Sequence, residues 1–340
     1  MRKSHAFVVA FVLAWGALAN AQGNGNGPLK LLHTTPLPGF HGDMDHFAVD
    51  LKGGRLFITA EVHKTVEVFD LKTGDRVHSI TGFVTPHAMV FRPEMNRLIV
   101  ADGGAPGTVK LVNGQSYEII DTITLPPGVD SAEYNPATKE FYVESRGPDL
   151  KADTHTISVI DTETFKHKGD FVLPGRRSEA MVFDGAGKTM YVNLTDEVGV
   201  VDVAARRLSA RWPVPNAHTQ NSMALDEPNH RLFIATRSPP TLFIYDTATG
   251  QVVASLPCVG VNDDMTFDAK RKRIYITGDG ATSVFAQRDA DHYEHLTDVP
   301  TGYRAKTSLY VPELNRLYIA VSGGDKPDAQ VALQIYQVEP

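Results

Sequence analysis

Cysteine is nearly missing from this sequence. Cys258 is the only one in 340 residues, so an intramolecular disulfide is excluded whatever the compartment. It closes the apolar stretch VVASLPC and reads as a small packed residue, not a nucleophile. Basic runs are missing too. The 33 Lys and Arg face 40 Asp and Glu, a formal charge of −7. That balance disfavours binding by phosphate neutralisation, and no nucleic-acid partner is expected. Beyond the N-terminus no apolar run is long enough to span a bilayer. Helical periodicity is almost absent, and so are a nucleophile elbow, an HExxH pair, a CxxC pair and a phosphate loop. The glycines of DGGAPG and GDGAT follow strand patterns with no helix behind them, which leaves little basis for phosphate binding.

What is present begins with an export signal. Arg2 and Lys3 precede the apolar segment Ala6 to Ala19, and Ala19-Asn20-Ala21 has the small-x-small form of a cleavage site. Residues 1–21 are expected to be a signal peptide and residues 22–28 a flexible leader. The rest, 29–340, would then be exported to the periplasm or secreted as one domain.

That domain is repetitive. Arg55-Leu56-Phe57-Ile58 recurs as variants starting at Arg97, Glu140, Thr189, Arg231, Arg273 and Arg316, at intervals of 42–49 residues. Each apolar anchor lies between a preceding apolar run and a following strand, and an Asx-led turn then leads into a last strand. A period of about 40–45 residues with four short strands per unit is the signature of a propeller. The turns FDLKTGD, IDTETF and YDTATGQ suit hairpins, because Asp bonds its own downstream backbone and Gly supplies positive φ. The seventh unit runs out of chain after three strands. Leu29 to Leu37 resembles a fourth strand and would close the ring, removing an open sheet edge. The expectation is an all-β, seven-bladed β-propeller of four-stranded blades.

The repeats resemble the YVTN/YncE-like propellers, through YVNL from Tyr191, YITG from Tyr275 and FITA from Phe57, together with the Asp-x-x-Thr-Gly turns. The resemblance covers essentially all of 29–340. It implies a seven-bladed exported protein with binding or surface roles, and it assigns no catalytic residue.

Registering the seven anchors places one residue at the entrance of every first strand: Asp45, His87, Asp130, Glu179, Asn221, Asp263 and Lys306. First strands are innermost in a propeller, so these seven are expected to ring an acidic channel mouth and bind the ligand. Asp45 alone of Phe40–Asp50 falls in this register; His46 is expected on the opposite side of the strand. Loops after the second strands add His63, Asp102, Arg146, Asp196, Arg237, Asp279 and Asp325. The longest, Ser145 to Thr156, can act as a partial lid. A network of Lys306 with Asp45 and Asp263 is the simplest structural account of the ring.

Three function classes stay open. The first is a binding module that takes a small polar or cationic ligand, a metal ion or a partner segment. The second is a metal-dependent lactonase or ester hydrolase. Glu179, Asn221 and Asp263 resemble in type the inner-strand calcium ligands of propeller lactonases, with Asp264 to spare and His46 or His87 as general base. Asp45 and Asp130 are further oxygen ligands, and with His87, assisted by His41 or His46, they would suit a transition metal. No cofactor is required by any motif. The third class is a structural or adhesive repeat protein.

Overall fold

The structure, a computed structural model, describes residues 27–340 apart from 150, 217 and 327. The expected signal peptide and the leader up to residue 26 lie outside the described residues. Twenty-eight strands form seven four-stranded antiparallel sheets. Blade 1 is typical, with strands Met44–Asp50, Arg55–Ala60, Thr65–Asp70 and Arg76–Ile80. The first strands of successive blades touch in turn, and that of blade 7, Thr307–Val311, returns to blade 1. The ring therefore closes. Its seventh sheet is completed by Leu29–Pro36, which pairs antiparallel with Ala332–Val338 from Leu29 opposite Val338 to Pro36 opposite Ala332. Among the described residues no helix is long and apolar enough to cross a membrane.

Burial explains the hydrophobic patterns. Second strands such as Arg55–Ala60 and Arg273–Gly278 are buried at nearly every position, because neighbouring blades cover both faces and an unbroken apolar run is favoured. Fourth strands such as Arg207–Pro213 and Gln251–Pro257 alternate exposed and half-buried, as one-sided strands do. No single central core exists. The buried side chains form seven clusters, each between two consecutive blades. Phe57 stacks on Phe91 across blades 1 and 2 with ring centroids 5.5 Å apart, and Trp212 of blade 4 lies over Tyr245 of blade 5 at 6.1 Å.

The hairpin turns behave as their sequences suggest. Asp70 accepts from the backbone N–H of Lys72 and Thr73, and Asp246 from those of Ala248 and Thr249. Gly74 and Gly250 then take φ of 79° and 71°. In blade 3 Phe165 occupies the equivalent position at φ 50°, a conformation that costs a non-glycine residue about 1 kcal/mol.

Candidate functional site

Side chains from every blade meet in one cavity of about 390 Å³ on the axis of the ring. Local distortions of the first strands put them there. Between Met44 opposite Ala60 and Phe47 opposite Ile58, Asp45 and His46 face a single partner residue. The same bulge recurs at His87, Asp130 and Asn221. A bulge leaves its extra residue out of the ladder and re-aims the side chain. Four of the seven register positions are delivered to the axis this way. The bulge also overturns one expectation: His46 does not point away from Asp45 but lines the same cavity. At Gly103 an added Cβ would stand 3.2 Å from His87 Nε2, so the glycine leaves room for that ring.

Of the seven register residues, Asp45, His87, Asp130, Glu179, Asp263 and Lys306 line the cavity. Asn221 is buried beside it and donates its amide to Asp263 Oδ1 at 3.1 Å. The Lys306 network is present: its ammonium bonds Asp263 and lies 3.4 Å from Asp45 Oδ1. Arg237 adds a 2.6 Å contact to Asp263. His87 Nδ1 is 3.0 Å from Asp45 Oδ2 and 3.5 Å from Asp130 Oδ1. His46 bridges Asp45, at 3.9 Å, and Asp264, at 3.5 Å. Arg146 pairs with Asp130 and Arg177 with Glu179.

These contacts set the protonation states. Burial alone would raise the Asp45 carboxyl, but His46, Lys306 and His87 outweigh it and hold it well below the ordinary range. Burial likewise opposes a charge on His87, yet Asp45 and Asp130 push it up to about 9. His46 is raised well above its ordinary value, since Asp45 and Asp264 overcome its burial. Burial, reinforced by Asp45, pushes Glu61 up to about 7, and burial with Asp130 does the same to Glu179. Burial raises Glu133 to about 7, and burial with Asp130 raises Glu144 to about 9.

The mouth is therefore not acidic, contrary to the register-based expectation. Six carboxylates line it against five Lys and Arg and two imidazoles. The surroundings favour a charge on both imidazoles and push Glu61 and Glu179 up to about 7, both of which lessen the negative charge. Arg177, Arg304 and Asp43 stand two residues ahead of the register position in their repeats, on the same side of the chain, and form a second row of the lining that the register of strand entrances does not contain. Arg304 clasps Asp43 through contacts of 3.0 and 2.6 Å. Glu61 is absent from that register as well; it occupies the position of Arg146 and Arg237 in blade 1. Asp102 is buried, salt-bridged to Lys110 at 2.7 Å, and lies outside the lining.

For metals, the oxygens of Asp263 are engaged by Lys306, Arg237 and Asn221, and Glu179 by Arg177. Among the described residues, Asp45, Glu61 and His87 bring one ligand atom each to within 4.8 Å of one another.

No family model matches the chain, and no curated protein matches it. Solved structures do. A chain of a mitotic checkpoint complex crystal structure superposes with TM-score 0.74 at 15% identity, covering 100% of this chain and 99% of its own. A chain of Kuenenia stuttgartiensis hydrazine synthase superposes with TM-score 0.70 at 18% identity, covering 84% and 96%. At these identities the similarity is one of fold: the seven-bladed β-propeller.

Proposed function

We propose that the protein is an exported binding module, YVTN/YncE-like in its repeats, whose ligand is a small polar molecule or a partner segment seated on the ring axis. One observation carries this reading. The axial cavity of about 390 Å³ is lined by polar and charged side chains from all seven blades, a convergence of donors and acceptors that suits a polar ligand. The near balance of charge favours a ligand offering both an acid group and hydrogen-bond donors over a simple cation. A thermal-shift screen of amino acids, hydroxy acids and sugars tests it. Compounds that raise the melting temperature should lose at least most of their effect in Asp130→Asn and His87→Gln. A screen without hits, or hits indifferent to both substitutions, would sink the proposal.

The Asp45–Glu61–His87 cluster favours a second reading, a metal-dependent lactonase or ester hydrolase. Two carboxylates and one imidazole suit a transition metal better than calcium. An ion there must compete with the Lys306 ammonium 3.4 Å from Asp45. Elemental analysis of the purified protein after dialysis against trace metals decides it: no bound metal and no lactone turnover would leave the binding module standing.

A further inference from the structure

A second cavity, of about 320 Å³, opens beside the first where blades 3, 4 and 5 meet. Arg146, Arg176 and Arg177 line it, and Glu179 is the one acidic residue among the lining. Their donors are far from used up. Arg146 gives one terminal nitrogen to Asp130 and lies 4.0 Å from Glu179, while its buried Nε has no partner. Arg177 meets Glu179 through Nε, and among the described residues its terminal nitrogens make no hydrogen bond. Arg176 is exposed and, among the described residues, makes neither hydrogen bond nor ion pair. A buried N–H without a partner is costly, and with Arg146 paired to Asp130 and Arg177 to Glu179, Arg176 is left as the uncompensated positive charge among the described residues.

The segment that carries two of these arginines is anchored from below. His155 donates from Nδ1 to the Gly175 carbonyl at 2.8 Å, which leaves Nε2 to accept from the Ser178 hydroxyl at 2.6 Å. Ser131 in turn donates to the Ser178 carbonyl. His155 and Ser178 are 2% and 1% exposed, too enclosed to meet a substrate. Their role is to hold Arg176–Glu179 in place, with His155 supplied by the start of the blade 3 strand Thr154–Asp161.

We propose that this side cavity is an oxyanion subsite, which receives a carboxylate or phosphate group of a ligand whose remainder lies on the axis. Arg146, Arg177 and Glu179 line both cavities, so the two adjoin at these side chains, within reach of one small molecule. Arginine forks match planar carboxylates and phosphate oxygens with paired hydrogen bonds. The inference rests on the axial reading and extends it by naming the chemical class.

Isothermal titration of the whole protein at low salt tests it, with inorganic phosphate and succinate as probes and succinamide as the neutral control. Saturable binding of phosphate or succinate is expected, with none for succinamide. Arg176→Gln should weaken it by about tenfold or more, the scale of one charged hydrogen bond. A response to phosphate alone, or to succinate alone, identifies which group the subsite takes. Equal binding to wild type and Arg176→Gln, or no saturable binding of either probe at millimolar concentration, overturns the subsite. His87→Gln separates the two proposals. If phosphate binding fails while axial hits from the thermal screen still respond to His87→Gln, only the subsite falls. If phosphate depends on Arg176 while no axial hit exists, the subsite stands and the axial reading falls.

Discussion

At the scale of single residues, the axial site is a problem of charge kept out of water. Asp45 is 4% exposed and meets two imidazoles and an ammonium. Removing any one of those cations leaves the others to neutralise it. This coupling makes stability depend on pH with a definite sign. His87 rises from 6.5 to about 9 on folding, so the native state binds the extra proton. Its contribution is complete below pH 6.5 and is lost as pH rises through 9. Glu61 and Glu179 rise from 4.5 to about 7 and also cost stability as pH climbs across that interval. Asp45 and Asp263 are lowered, so their contribution is lost in acid, as pH falls below 3.8. The melting temperature should therefore peak in mildly acidic solution and decline toward pH 9. His87 accounts for on the order of 3 kcal/mol of the decline. In His87→Gln the slope between pH 6.5 and 9 should flatten, and an unchanged slope in a melting series would count against the Asp45–His87 pair.

At the scale of elements, turns and bulges do different work. The Asx turns were legible because their chemistry is local: Asp, Thr and Gly at set offsets bond their own backbone. Gly250 shows the tertiary side of such a turn. It holds φ 71°, and a Cβ added there would lie 2.3 Å from Trp212 Nε1 of the neighbouring blade. Gly250→Ala should cost about 2 kcal/mol, from backbone strain and displaced indole together. The denaturation midpoint measures this; a loss of only a few tenths would mean that Trp212 moves freely. The bulges, by contrast, were not legible. Nothing local in MDHFAVD distinguishes a regular strand from one that doubles Asp45 and His46 against a single partner. That choice depends on what the next blade packs against it, so His46 was assigned to the wrong face.

At the scale of the whole molecule, stability is distributed over seven interfaces, and closure matters because each blade needs two neighbours. The strand Leu29–Pro36 brings Leu29 into the cluster shared by blades 6 and 7 and covers the edge of Ala332–Val338. Deleting residues 27–36 should expose that edge, lower the melting temperature and promote association through the unpaired strand. Moving Leu29–Pro36 to the C-terminus through a short linker should restore the intact chain's profile on size exclusion. Full stability of the deleted chain would show that the velcro pairing is dispensable.

The sequence by itself determined the repeat, the strand count, the closing strand and the polar register at the axis. All of these follow from the periodicity of the chain and from the local chemistry of its turns. Charge balance at the mouth was decided only by the tertiary structure. Arg146 and Arg177 pair within their own blades, but the meeting of Arg237 with Asp263 and of Arg304 with Asp43 crosses from blade to blade and depends on where long side chains reach once the ring closes. Periodicity is a property of the chain. Electrostatics is a property of distances in space, and those exist only after the ring has formed.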